Sequence, residues 1–248
     1  EYGFDYSILF YDVTTLYFES FADDDLRKTG FSKDSKSQQP QILVGLMVSK
    51  EGFPIDFDVF PGNTFEGHTI LHVVKAFITK NNVNSFTVVA DAAMISNDNI
   101  KEFKLHGIHY IVGARLGNLS QATFDELDAK IKREDGKTIR LNTDKGYLTC
   151  SFSSTRYRKD KYEMEKQILK AQNIIKSPSK NTKPKFVKAH NQKLGINQEL
   201  IKKSTKLLGV KGYYTDLDEH DLPNDKAIER YHELYKIEQA FRVAKSDL

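Results

Sequence analysis

Apolar positions along the chain fall into a repeating series of short segments. Ser7–Val13 (SILFYDV) is an apolar run interrupted by one acid, and Ile42–Ser49 (ILVGLMVS) is a second run. Ile55–Phe60 (IDFDVF) alternates apolar and acidic residues with period two. Short β-rich runs and strict alternation predict three strands. Pro61-Gly62-Asn63 predicts a turn. Thr64–Lys80 then takes helical spacing, with Leu71, Val74 and Ile78 on one face. Phe86–Ala90 (FTVVA) predicts a further buried strand, Ser96 a capped helix to about His106, and Tyr110–Val112 a strand after Gly107.

Three strands close in sequence predict antiparallel neighbours, and later strands alternating with helices predict parallel crossovers. The fold class expected is therefore α/β with a mixed sheet. From about Gly113 to Lys206 the rhythm breaks. Thr123–Ile131 predicts a short helix, Thr138–Ser153 a hairpin around Asp144-Lys145-Gly146, and Lys159–Ile175 a charged helix. Ser177–Lys193, with two prolines and many lysines, predicts an exposed loop. Gly212–Thr215 predicts a strand, and Asp221 or Asn224 starts one final helix with Pro223 near its first turn. The organisation expected is a core in two parts, residues 1–112 and 207–248, around an insertion at 113–206.

Charge changes this picture. The chain has 248 residues and a formal net charge of +3. From Arg156 to Lys211 there are 16 Lys+Arg against 4 Asp+Glu, a balance of +12, which leaves 21 against 30, or −9, elsewhere. A basic segment in an acidic body suggests a polyanion contact; the other reading is a solvated lysine-rich surface. Aromatics at 11% exclude a disordered chain, and no apolar run approaches the ~18 residues of a membrane span. A single cysteine, Cys150, excludes a disulfide scaffold and a multi-thiolate zinc site. It fits a reducing, cytoplasmic compartment, and a half-buried structural role is expected for it. The chain begins at Glu1 without a methionine, which reads as a segment of a longer protein.

Three carboxylates stand out. Asp12 interrupts the first apolar run and Asp91 ends the run Phe86–Ala90. Acids at strand ends hold ligands in α/β enzymes, or cap the turn that follows. Glu238 falls in the stripe Ala227, Tyr231, Leu234, Glu238, Phe241, Lys245, Leu248, whose steps of three and four define one helix face. A carboxylate buried there requires a cation, or a pairing with Lys245 seven residues on. Three convergent carboxylates make an oxygen-rich site for Mg²⁺ or Mn²⁺, and two such ions serve phosphodiester chemistry.

Four passages around these acids resemble the DDE transposases of bacterial insertion sequences, in the group marked by a Tyr-Arg-Glu-Lys signature. FYDVTTLYFES resembles the segment of the first aspartate, here Asp12, and FPGNTFEGHTI a turn-and-helix passage. VVADAAMISNDNIKEF resembles the segment of the second aspartate, here Asp91, and RYHELYKIEQAFRVAKSDL the signature helix. Tyr231, Glu238 and Lys245 match the signature in type and spacing, while its arginine position holds Leu234. The likeness covers most of residues 5–115 and 207–248.

The resemblance implies a ribonuclease H-like fold: a mixed five-stranded sheet with flanking helices and a large basic insertion before the last catalytic helix. Its first and fourth strands are neighbours, so Asp12 and Asp91 would meet, and the glutamate helix would bring Glu238 to them. It implies a DNA transposase catalytic domain with two Mg²⁺ ions (Mn²⁺ as substitute) held by Asp12, Asp91 and Glu238. The partners implied are double-stranded DNA, at element ends and target, and a second copy of the chain. The resemblance implies that Lys245 contacts DNA near the cleavage site; Tyr231 could stack on a base, contact a phosphate or simply pack the helix, and Arg242, Arg156 and Arg158 are further candidate DNA contacts. Two other functions remain open from the residues: a decayed remnant that only binds DNA or dimerises, and a nuclease on the same fold. His68 and His72, four apart, lack the intervening glutamate of a zinc helix. Thr14 and Thr15 stand where they could orient a water.

Overall fold

The structure is a computed structural model, and it describes residues 7–20, 22–32, 36, 38–83, 85–94, 96–177, 184–190 and 193–246. The chain divides into two compact units, the first made of Glu1–Ala114, Asn142–Leu148 and Tyr213–Leu248, the second of Arg115–Leu141 and Thr149–Gly212. The first five strands are β1 (Ile8–Tyr17), β2 (Gln41–Ser49), β3 (Pro54–Pro61), β4 (Thr87–Ala90) and β5 (His109–Gly113). Two helices interrupt them, α1 (Glu66–Asn81) before β4 and α2 (Asn97–Leu105) after it. Then come α3 (Gln121–Lys130), the hairpin β6 (Thr138–Thr143) and β7 (Gly146–Phe152), and α4 (Ser154–Lys176). A second hairpin, β8 (Val187–His190) and β9 (Lys193–Ile196), precedes α5 (Gln198–Lys206) and β10 (Val210–Thr215). The chain closes on α6 (Asn224–His232) and α7 (Tyr235–Ser246).

The sheet order is β3-β2-β1-β4-β5-β10-β7-β6. β1 is antiparallel to β2 and parallel to β4, and β4 is parallel to β5, as short loops and helical crossovers respectively require. The sheet is mixed, but it has eight strands where five are expected. β10 pairs antiparallel with β5, and the hairpin strands follow it.

In the first unit, helices cover both faces of the strands. On one face α1 buries Ile70, Val73, Val74 and Phe77. The expected stripe of Leu71, Val74 and Ile78 is therefore displaced by about one residue, with Leu71 and Ile78 at its margin. On the other face Ile237 and Phe241 of α7 pack with Phe10, Leu46, Val48, Val89 and Ile111. Truncating a phenylalanine at such a centre costs about 3–5 kcal/mol.

The final helix is two helices, not one. The chain breaks at Glu233-Leu234, where Leu234 turns into the apolar cluster. A single helical stripe from Ala227 to Lys245 therefore does not exist, and Leu248 lies outside the described residues.

In the second unit, Phe124, Leu127, Ile131, Cys150, Phe152, Ala171, Phe186 and Leu208 are buried. Ser153 caps α4 by accepting from the Arg156 amide, so this helix starts before the expected Lys159. Part of the expected loop 177–193 contributes to the β8–β9 hairpin, and its residues 178–183 and 191–192 lie outside the described set. Cys150 is fully buried rather than half-buried.

Candidate active site

The site follows from the register of the sheet. Side chains along a strand alternate between faces, so Phe10, Asp12 and Thr14 share one face of β1 while Leu9, Tyr11 and Val13 take the other. The contacts agree: Tyr11 donates its hydroxyl to Thr69 of α1 at 2.7 Å, while Phe10 packs under α7. Phe10 is opposite Val48 of β2 and Val89 of β4, and Val89 is opposite Ile111 of β5. This whole row is apolar and covered by Ile237 and Phe241.

The next row on the same face is different. Asp12 is opposite Leu46. The parallel pairing of Tyr11 with Ala90 sets Asp91 one step on, beside Asp12, at the carboxyl end of β4. The pairing of Ala90 with Val112 sets Gly113 beside Asp91, and Gly113 is in turn opposite Tyr213 of β10. Neighbouring strands lie about 4.8 Å apart, so two carboxylates sit side by side immediately past an apolar layer. Asp12 is half-buried and Asp91 exposed.

Tyr231 of α6 closes over this row. Its hydroxyl donates to Asp91 Oδ1 at 3.3 Å, and its ring lies on that of Tyr213 with centroids 4.5 Å apart. Burial, and then the negative charge of Asp91 and Asp12, raise the Tyr231 phenol above its ordinary range. Asp91 Oδ1 also accepts the Ala92 amide at 2.6 Å, capping the short 3-10 turn Ala92–Met94. Both of these bonds fall on Oδ1, so Asp91 caps the turn through one oxygen.

The turn after Asp91 is braced from the FPGNTFEGHTI passage. Asn99 of α2 is buried and donates to Met94 O at 2.8 Å and to Gly67 O at 2.7 Å. A Cβ on Gly67 would stand 2.9 Å from Ala93 O, so only glycine lets the start of α1 approach this closely.

α7 runs beside β1. Lys236 donates to Lys50 O at 2.7 Å and lies over the Phe10 ring, which anchors the start of the helix. At its other end Lys245 Nζ donates to Thr14 Oγ1 at 2.6 Å. Thr14 is two residues beyond Asp12 on the same strand face, so an ammonium lies near the paired carboxylates. Thr15 takes the opposite face by the same alternation.

Glu238 differs from its expected position. It is exposed, beside the buried Ile237 and one turn before Phe241, not within a buried stripe. Among the described residues, the carboxylates of Asp12, Asp91 and Glu238 do not all lie within 4.8 Å of one another. Arg242 is exposed on the same helix. Arg156 and Arg158 belong to α4 in the second unit, where Arg156 pairs with Asp160 at 3.4 Å. The Arg158 charge lies near Asp135, whose carboxyl is held low mainly by hydrogen bonds from Ser154. His72 pairs with Asp58 at 2.9 Å and His68 packs edge-on to Phe65, so the two histidines have separate partners.

Asp218, His220 and Asp221 do form a tight exposed group after β10. Turn chemistry accounts for it, since Asp218 Oδ1 accepts the amides of both His220 and Asp221. Sequence reasoning passed over Gly113, Tyr213, Gly67 and Asn99. The signal for Gly67 and Asn99 lay inside the matched passages. Gly113 and Tyr213 are legible only from strand register.

The donor set at Asp12 and Asp91 suits a hard divalent cation: carboxylates on neighbouring strand positions, with Asp91 Oδ2 accepting no hydrogen bond among the described residues. Among the described residues no helix is long and apolar enough to cross a membrane.

A family model described as "Transposase DDE domain" matches residues 3–248. A search among curated proteins finds no match. Among solved structures, a cryo-EM structure of the piggyBac transposase synaptic complex with hairpin DNA aligns at 13% identity and a TM-score of 0.42. That alignment covers 60% of this chain and 31% of the other, so the chain spans about a third of that protein's length.

Proposed function

Because the chain belongs to the transposase DDE-domain family, we propose that it cuts DNA at the ends of a mobile element and joins the freed 3′-hydroxyl to target DNA. Asp12, Asp91 and Glu238 are the proposed metal ligands, on a ribonuclease H-like core. The observation that carries this reading is the row across the sheet in which Asp12, midway along β1, stands beside Asp91, just past the end of β4. The order β3-β2-β1-β4-β5 supports the core assignment. Glu238, farther out on α7, would serve a second ion rather than complete a tight single-ion cage.

When bound, two divalent cations activate the attacking oxygen and stabilise the leaving oxygen of the phosphodiester. The protein's own part is placement. Asp12 holds its oxygens within β1 and Asp91 directly after β4, and Phe10, Val89 and Ile237 form an apolar floor beneath them. Lys245, held at Thr14, supplies a positive charge that a DNA phosphate would share. Arg242, Arg156 and Arg158 are further proposed backbone contacts. DNA at element ends and target is the proposed partner, with two copies of the chain pairing two ends in the cytoplasm.

The test is end cleavage by an Asp91→Asn variant with Mg²⁺. Cleavage is lost while DNA binding survives. A variant that cuts at the parent rate removes Asp91 from the mechanism. A parent chain that binds end DNA but never cuts it, with Mg²⁺ or Mn²⁺, supports the decayed binding module instead.

A further inference from the structure

We propose that Tyr231 is a positioning residue that fixes the rotation of the Asp91 carboxylate, and that Gly113 exists to make room for its hydroxyl. This rests on the reading that Asp91 holds a cation. A carboxylate at a strand end rotates about its last bond, and a metal ligand that rotates loses affinity. Asp91 Oδ1 receives two donors, the Ala92 amide at 2.6 Å and the Tyr231 hydroxyl at 3.3 Å. Two donors on one oxygen restrain the rotation of the carboxylate and leave Oδ2 without a donor among the described residues.

The phenol is held in turn. Its ring rests on Tyr213, which the register places opposite Gly113. Gly113 shares the face of Asp91, one strand over. A Cβ built there would meet the Tyr231 hydroxyl at 2.7 Å and Ala92 N at 3.2 Å. Any side chain would thus press on both donors that fix Oδ1. Gly113 has no positive backbone φ, so conformational freedom does not explain it and the close approach does. Tyr231 would thus serve the metal site from inside the fold, with its hydroxyl already engaged before any DNA arrives.

The experiment is a Mn²⁺ titration of the chain, followed by electron paramagnetic resonance, for the parent, Tyr231→Phe, Gly113→Ala, the double variant and Asp91→Asn. Phenylalanine keeps the stack on Tyr213 and removes only the hydroxyl. We expect Tyr231→Phe to weaken Mn²⁺ binding by about tenfold, within the ~10–100-fold range of such supporting contacts, with melting temperature held within about 4 °C. Gly113→Ala gives a loss at least as large, and the loss in the double variant is smaller than the sum of the two, because both substitutions disturb the same hydroxyl. Parent-like Mn²⁺ affinity in Tyr231→Phe, strictly additive losses, or a loss of affinity accompanied by a larger fall in melting temperature each overturns the proposal. An Asp91→Asn chain that binds Mn²⁺ as the parent does overturns the underlying metal reading instead.

Discussion

The two faces of β1 are built from the same ten residues and do opposite things. On the α1 face, Leu9, Tyr11 and Val13 are buried along the strand, and the polar atom there, the Tyr11 hydroxyl, is satisfied by Thr69. On the α7 face, burial grades from Phe10, fully enclosed, to Asp12 and Thr14, half-open. One face closes and the other stops one row short of closing. The difference shows how a strand keeps a carboxylate rigid without burying it: the alternate residues carry the stability, and the proposed site rests on their neighbours' backbone.

That contrast can be broken from either side. The largest effect is expected at the open face. Asp12→Asn should lower end cleavage by about 10³-fold or more, since several kcal/mol of charge stabilisation is withdrawn. Gel-based cleavage assays read this, and the melting temperature should hardly move. Removing divalent ions with a chelator should give the same silence in the parent. Next comes Phe10→Ala, on the same face one row below, which should destabilise the first unit by about 3–5 kcal/mol in denaturant titrations. On the closed face Tyr11→Phe removes one buried hydrogen bond and should cost about 1 kcal/mol with cleavage unchanged. If Tyr11→Phe instead abolished cleavage, the division of labour between the faces would fail.

Smaller still is Lys245→Ala. Loss of one phosphate contact should reduce the slope of log affinity against log salt by about 1. A last effect lies in the second unit and shows itself only at high pH, vanishing near neutrality. Burial pushes the Cys150 thiol up from 9.0 to about 12. The folded state therefore keeps a proton that the unfolded chain gives up, and stability falls as pH rises from about 9 towards 12. A Cys150→Ala variant should flatten that decline, measured by urea midpoints across the range.

Much of this was legible before the fold was known. Asp12 and Asp91 were marked by acids set into or after apolar runs, and their strands formed as the runs predicted. Three features were not legible. Helical spacing placed Glu238 in a buried stripe, but spacing assumes an unbroken helix. The chain breaks at Leu234 because that side chain gains more by entering the Phe10 cluster than by continuing the turn. The hairpin β6–β7 and strand β10 were expected as elements, but their place in the sheet was hidden because they join it through distant pairing rather than local pattern. The partnership of Tyr231 with Gly113 depends on strand register, which no local window contains.

The parallel pairing of β1 with β4 carries one more consequence, in the order in which the molecule comes into being. Tyr11 and Ala90 meet across 79 positions of chain, and the helix bearing Glu238 arrives almost 150 positions after Asp91. Contacts of such separation form late, because loop closure precedes any reward from them. A partly folded or partly synthesised chain therefore owns its carboxylates without owning their arrangement, and the proposed site is assembled only when α7 docks.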